Sequence, residues 1–372
     1  MYIHGKQNFK KNLIIKKKNI LEIFMLQIIM PRKLASFRRI LEISEISYAD
    51  NIEIARVNSW QVVTKKGQFQ KDTIAVYFEI DSWIPTKYAP FLKQSTYRDI
   101  PGSKLETIKI RGVLSQGLLL PISHFPELEN VEVVEDMDLT EILGIQKWES
   151  LEENPYLNDE NFKNRKAQQF PANIPKTDQE RVQNLRKEFE VIKEAEWEIT
   201  EKLDGSSITI YYEDDNIQGV CSRNLNLNMM NDNNVDKFWK VVLEENLLEK
   251  LKNICKENNL SLALQGELVG PKFCSNNYKL SKPEIYIYDI FDIKYQRYYL
   301  PHERQEFVKK YEIKHVPILE NNRVITTSID ELLIEADGKS ALNNESEREG
   351  IVFKNIKKSD IRSFKVISNK YL

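Results

Sequence analysis

Between Arg32 and Trp148 the apolar residues fall in short runs and trace no helical stripe. "RRILEISEISY", "IEIARVNSWQVV", "DTIAVYFEI" and "ETIKIRGVLSQGLLLP" alternate or run apolar over a strand's length, and "KKGQ", "IPTKYAP" and "IPGS" punctuate them. Period-two alternation between turn residues predicts five or so short strands, enough for a small barrel. Next comes "SLEENPYLNDENFKNRKAQQFPANIP", polar and rich in Asn and Pro, which reads as a linker. Thr177 and Glu180 have the T-x-x-E spacing of a capping box just after Pro175, predicting a helix over "KTDQERVQNLRKEFEVIKE". From Trp197 onward strands dominate, with helical interruptions of which "VDKFWKVVLEENLLEKLKNICKENN" is the clearest.

The expected class is therefore α+β, in four parts: an extension over 1–31, an OB-like β-barrel domain over 32–148, a linker over 149–174, and an antiparallel-sheet domain over 175–372. Composition changes this picture little. The chain has 372 residues, 41% hydrophobic and 30% charged, with a net charge of −2, so any basic surface must be local. One local excess lies at Ile351–Leu372, where Lys354, Lys357, Lys358, Arg362, Lys365 and Lys370 face the single acid Asp360, interleaved with Phe353, Phe364 and Tyr371. That fits a solvated strand edge and also a phosphate-lined groove. Three widely spaced cysteines make neither a disulfide framework nor a zinc set, which suits a reducing, intracellular compartment, cytoplasmic or nuclear. No apolar run is long enough to span a bilayer, so no membrane association is expected.

The first 29 residues differ in kind, with six lysines and the single acid Glu22 ahead of "ILEIFMLQII". Glu22 interrupts that run and no small-residue cleavage site follows, which argues against a secretory signal. A mitochondrial presequence would favour Arg and Ser over Lys. The favoured reading is a dispensable, disordered extension with Met30 as the working start, and a mitochondrial address is the alternative.

Chemistry enters at "WEITEKLDGSSITIYY". Its aromatic and β-branched residues describe a buried strand, yet Lys202 and Asp204 stand in the middle and, on a strand, point the same way. A free lysine with pKa near 10.4 is neutral only about once in 2,500 molecules at pH 7. A lysine nucleophile needs that fraction raised, by desolvation or by nearby positive charge. An apolar strand offers the first, and a metal ion held by carboxylates such as Asp204 offers the second. Lys-x-Asp-Gly is thus coherent for a lysine attacking phosphorus beside Mg²⁺, although a surface lysine beside a turn aspartate has the same spelling. A second Asp-Gly, in "EADGKS", has Glu335 where the lysine should be and no apolar strand after it, and "GKS" lacks the earlier glycine of a phosphate loop.

Further groups appear in strand contexts: Glu267 in "LALQGELVGP", Glu349 in "EREGIVFKN", Lys365 in "IRSFKVISNKYL", and Tyr286 with Tyr288 on one face of "EIYIYDIFDI". Each alone also reads as a solvated strand end or core residue. In order, Lys202-Leu-Asp-Gly205, Ser222-Arg223-Asn224, Glu267, Tyr288-Asp289, Glu349-Gly350-Ile351-Val352 and Lys365 resemble the collinear motifs of the covalent nucleotidyltransferases. Only seven residues follow Lys365, whereas DNA ligases and capping enzymes carry an OB domain after the last motif. With the β-rich module placed first, the chain from Arg32 to Leu372 resembles ATP-dependent RNA ligase family five.

The resemblance implies an ATP-grasp-like DNA/RNA ligase domain and an enzyme using ATP and Mg²⁺ or Mn²⁺. Lys202 would attack the α-phosphate to give a lysyl-AMP, AMP would pass to an RNA 5′-phosphate, and a 3′-OH would displace it. Asp204, Glu267 and Glu349 would hold the metal, through its waters. Arg223 would contact the ribose or the 5′-phosphate, Tyr288 would stack on adenine with Tyr286 in reserve, and Lys365 would grip the α-phosphate. Related ligases often carry two lysines one residue apart in the last motif. Here Ser363 and Ile367 flank Lys365 at that spacing, leaving Arg362 or Lys370 as substitutes. Asp81 and Arg111 are candidates for the triphosphate and its metal, with structural readings, turn acid and strand-edge base, of equal standing. The expected partner is a nicked RNA duplex with an RNA 3′-OH strand, and the expected state a monomer. Competing readings are a DNA ligase, a GTP-using capping enzyme, or an RNA-end binding protein with an inactive nucleotidyltransferase domain.

Overall fold

The computed structural model describes residues 32–149, 167–231 and 234–372. The expected extension over 1–31 and most of the expected linker, 150–166, lie outside them. The chain divides into two compact units, and the division is not a single cut. The first takes Asp72–Glu106 and Gly117–Lys147 with the described residues up to Arg39; the second takes Ile40–Lys71, Thr107–Gln116 and the described residues from Trp148 to Leu372.

In the first unit the strand Ile74–Phe78 lies between Ala35–Arg39 and Leu118–Leu120. A second sheet runs Gln146–Lys147, Ser82–Pro85, Ile100–Lys104, Ser95–Tyr97. Alternate apolar residues turn inward, so Phe37, Val76, Phe78, Ile84 and Leu139 are fully buried in one cluster. Phe125 completes it, with ring centroids 5.8 Å from Phe78 and 5.0 Å from Tyr88.

The second unit is built on two large sheets. One orders its strands Ala167–Gln169, Leu225–Leu227, Gln218–Cys221, Ser206–Tyr212, Leu262–Val269, Glu284–Asp292, Arg297–Tyr298, all antiparallel. The other runs Glu180–Arg181, Ser363–Ile367, Gly350–Asn355, Glu196–Lys202, Ile318–Val324. Helices Lys237–Glu244 and Leu247–Asn258 pack on the first sheet through Phe238, Trp239, Val241 and Val242, then Leu247, Leu251, Ile254 and Cys255. Those spacings make one apolar face on each helix. The sequence read as a single helix breaks at Asn246, which adopts φ 54°, and Asp236 caps the first piece by accepting from Phe238 N at 2.8 Å. The unit also holds a sheet of Glu42–Glu45, Ile52–Val57 and Trp60–Lys65 and a hairpin of Thr107–Ile110 with Val113–Gln116. The two are joined by Gln61 Nε2 donating to the Leu114 carbonyl at 2.9 Å and Val63 N donating to Ser115 Oγ at 3.0 Å.

Two expectations fail here. Thr177 and Glu180 cap no helix: the chain is extended to Glu180–Arg181, which pairs in parallel with Phe364–Lys365, and only Phe189–Glu194 is α-helical. Their side chains are committed elsewhere. Thr177 Oγ1 lies 3.0 Å from Ser207 Oγ, and Glu180 Oε1 accepts from Arg181 N and from Asn184 Nδ2. Tertiary partners outbid local propensity. The end of the segment read as linker is likewise sheet, with Ala167–Gln169 paired to Leu225–Leu227 and Ile174 buried beside Tyr211 and Phe291.

Candidate active site

A cavity of about 410 Å³ opens between the two large sheets of the second unit, a volume that accommodates a nucleotide. The five-stranded sheet contributes Thr200 to Lys202, Val352, Lys354 and Lys365, with Glu349 just ahead of its strand; the seven-stranded sheet contributes Ser206, Ser207, Glu267 and Tyr288, with Ser222 and Arg223 beside it. Thr177 and Asp178 line the rim in the extended segment where a helix was expected.

Lys202 ends its strand and pairs in register with Gly350, which brings Nζ to 2.6 Å from Glu349 Oε2. Past the strand end Leu203 packs with Val269, Tyr278 and Val316, and Asp204 lines the cavity with Lys202. Gly205 serves a different purpose from accessibility. A Cβ there would meet the Leu268 carbonyl oxygen at 2.5 Å, so only glycine lets the two strands approach. At Gly350 the contact, 2.1 Å to the Val366 carbonyl oxygen, imposes the same choice.

Electrostatics in the cavity are divided. On one side stand Asp204, Glu267 and Glu349 around Lys202. Burial pushes the Lys202 amine down, but Glu349 and Glu267 push harder the other way and hold it above the usual lysine range. The expectation that the dry strand would free the amine is therefore reversed. Glu267 is pushed up to about 8, by burial first and then by Glu349 and Asp204 against the opposing pull of Lys202. At that value Glu267 keeps its proton at neutral pH, so two carboxylates, Asp204 and Glu349, share one ammonium, and the hard oxygens of all three acids are the donors Mg²⁺ or Mn²⁺ prefers. Among the described residues no three such groups stand close enough to grip an ion directly. On the other side Lys365 is pushed down to about 8, chiefly by burial and then by Lys202 and Arg181. Arg223 pairs with Asp178 at the rim.

Comparison with known proteins matches this arrangement. An RNA ligase family model matches residues 195–367, and an OB-fold domain model matches residues 34–122. Among solved structures, Naegleria gruberi RNA ligase with pyrophosphate is 41% identical, covering 92% of this chain and 98% of that one at a TM-score of 0.73. The chain belongs to the RNA ligase family. A glutamate-to-alanine mutant of the Naegleria enzyme with ATP and Mn is 40% identical over 91% of this chain and 98% of that one, again at 0.73. A lysine-to-methionine mutant with AMP and Mn gives the same figures. A search of curated proteins found no match. The architecture read from the sequence, an N-terminal OB fold and a nucleotidyltransferase domain, holds for this RNA ligase.

The ligase does not gather every residue singled out by sequence. Lys202, Asp204, Arg223, Glu267, Tyr288, Glu349 and Lys365 all line the cavity. Tyr286 shares a strand face with Tyr288 but is not among the lining residues, and its hydroxyl donates to Glu284 at 2.8 Å. Arg362 pairs with Asp289 at 3.1 Å and lies over the Tyr298 ring, while Lys370 lies 3.6 Å from Asp337. Neither lines the cavity. Asp81, in the first unit, adopts φ 63° and pairs with Arg32 at 3.3 Å, the turn acid of its structural reading. Arg111 sits at a hairpin turn with φ 52° and its side chain exposed.

One cavity-lining lysine, Lys354, was read in the sequence only as part of the basic excess near the end. It pairs in register with Ser363, so the two share a sheet face. Nζ reaches Asp289 at 2.6 Å and the Tyr288 carbonyl at 2.7 Å, and stands 5.3 Å from the Tyr288 ring centroid. The only sequence signal was its place five residues after Glu349 on a strand; the partner at 363 is visible only once the register is known.

Proposed function

We propose that the cavity is the adenylylation and sealing site of an ATP-dependent RNA ligase, with Lys202 as the residue that becomes joined to AMP. The observation that carries this is the Lys202 amine, held 2.6 Å from Glu349 at the floor of a nucleotide-sized cavity with carboxylates on one side and Lys365 and Arg223 on the other. The solved Naegleria variants include a lysine, an aspartate two positions later, two glutamates and a further lysine. Lys202, Asp204, Glu267, Glu349 and Lys365 follow that order here.

The enzyme joins RNA 5′-phosphate and 3′-OH ends. Tyr288 gives the adenine a flat apolar surface, fixed by its hydroxyl 3.3 Å from Ser207 Oγ and by the Lys354 ammonium over the ring. Lys365 meets the α-phosphate and Arg223 the ribose or the RNA 5′-phosphate. Lys202 attacks the α-phosphorus, its N–P bond forms as pyrophosphate leaves, and the AMP then moves to the RNA 5′-phosphate, from which the 3′-OH displaces it. Asp204, Glu267 and Glu349 would hold a hydrated divalent cation, which when bound would offset their charge and that developing on the phosphate oxygens. Glu349 Oε2, 2.6 Å from Nζ, is placed to take the proton that Lys202 loses as the N–P bond forms. The preferred substrate is a nick in a duplex with an RNA 3′-OH strand, and the enzyme acts as a monomer.

The deciding experiment is label transfer from α-³²P-ATP or α-³²P-GTP to the protein with Mg²⁺, for wild type and Lys202→Ala. ATP-specific labelling that disappears in the variant is expected. A folded wild type that takes no label from ATP would leave an RNA-end binding protein in place of a ligase.

A further inference from the structure

The second Asp-Gly, at Asp337, is not idle. Its carboxylate accepts from Ser368 Oγ at 2.6 Å and from Lys370 N at 3.4 Å, with Lys370 Nζ at 3.6 Å. Ser368 is tied a second time, its N–H donating to the Glu349 carbonyl at 2.9 Å. Ser368 Oγ in turn accepts from Tyr371 N at 3.1 Å. The chain after the Ser363–Ile367 strand is thereby folded back in a tight turn whose last aromatic side chain has a fixed direction. Tyr371 Oη donates to Asp204 Oδ2 at 2.6 Å and accepts from Asn277 Nδ2 at 3.0 Å. Asn277 is itself pinned, its carbonyl accepting from Asn343 Nδ2 at 2.8 Å and from Ser346 Oγ. With Asn277 filling the acceptor side of the phenol, its proton has one direction left, toward Asp204.

Among the described residues Asp204 is otherwise held only by its backbone, its N–H donating to Tyr278 Oη at 2.6 Å. Tyr371 is not among the residues lining the cavity and reaches the carboxylate from outside it. We infer that Tyr371 is a positioning residue of the ligase, fixing the Asp204 carboxylate so that one oxygen is committed to the phenol and the other is presented to the hydrated cation. This rests on the role given to Asp204 above. Such outer partners tune metal affinity by about ten- to a hundredfold in metal sites generally.

The test is Tyr371→Phe, which keeps the ring and removes one hydroxyl, in the full chain. Mn²⁺ binding is followed by electron paramagnetic resonance in the presence of AMP, and the Mg²⁺ requirement for labelling Lys202 is measured at saturating ATP. The expected result is Mn²⁺ binding weakened about tenfold and a matching rise in half-maximal Mg²⁺, with labelling recovered at high Mg²⁺ and the melting temperature unchanged. Ser368→Ala, which frees the turn without touching Asp204, should shift both in the same direction by less, and serves as the test if the phenylalanine variant misfolds. Unchanged Mn²⁺ affinity and Mg²⁺ requirement in a folded variant would overturn the inference. A wild type that binds Mn²⁺ with AMP yet takes no label would count against the ligase reading instead.

Discussion

Lys202 and Lys354 each stand 2.6 Å from a carboxylate, and they are in opposite electrostatic states. Lys202 pairs with Glu349 at the open cavity, in a group with three acids. Lys354 pairs with Asp289 in the interior, where Arg362 lies 3.1 Å and Arg304 3.9 Å from the same carboxylate oxygen. At Lys202 the anions are in excess and hold the proton on. At Lys354 the cations are in excess: burial and then the two arginines outweigh Asp289 and push the amine down to about 7. Asp289 is held far below the usual carboxylate range by Arg362, Lys354 and Arg304, against its burial. The difference teaches that pair distance says nothing about protonation; the balance of charge around the pair does. It also separates the tasks. The anionic group has room for a cation to arrive, while Lys354 is tied between Asp289 and the Tyr288 carbonyl.

The largest test of this contrast is Lys202→Arg. A guanidinium remains charged whatever surrounds it, so label transfer from ATP should fall at least about a thousandfold although the pairing with Glu349 is preserved. Residual labelling near the wild-type level would mean that another group is the nucleophile. Next is Asp289→Asn, which takes the shared anion from buried Lys354 and partly exposed Arg362 while Arg304 keeps Glu198, and should cost about 3–5 kcal/mol in chemical denaturation. Smallest is Lys354→Met. Asp289 keeps its two arginines, so the cost at neutral pH should be only about 1–2 kcal/mol, and its pH dependence carries the sign. Because the folded pKa of Lys354 lies below its unfolded value, the unfolded chain binds the extra proton between about pH 7 and 10.5, and this lysine favours the folded state more as pH rises. Wild type should therefore gain about 1 kcal/mol over the methionine variant between pH 7 and 8 in paired denaturation curves. A flat difference would show that the interior group has no excess of positive charge.

Much of the site could be read in the sequence because its motifs are local. Lys202, Glu267 and Lys365 each sit in a strand, and Asp204 and Glu349 just beside one, whose apolar neighbours advertise burial, so a charged residue there stands out. The reading failed where a residue's meaning depends on another strand. Thr177 and Glu180 obey a helix-start rule, yet the cavity rim and the parallel pairing with Phe364–Lys365 claim them. Lys354 looked like one of six basic residues near the end of the sequence until its register with Ser363 placed it. Gly205 stands in the sequence only as one letter of Lys-x-Asp-Gly, and its packing requirement is set by Leu268, sixty-three positions on. Asp337 was rightly set aside as a nucleotide motif, but its bond to Ser368 spans thirty-one positions that no local pattern connects.

The Lys202–Glu349 contact bridges 147 positions, and the Tyr371–Asp204 contact bridges 167. A ribosome finishes the reactive lysine long before it has made the acid and the phenol that complete its surroundings. While it elongates, the growing polypeptide carries the amine in an unfinished pocket and has no means of charging itself with AMP. Self-adenylylation is thus expected to report on finished synthesis, since a chain that stops short of Glu349 lacks the acid paired with the reactive lysine.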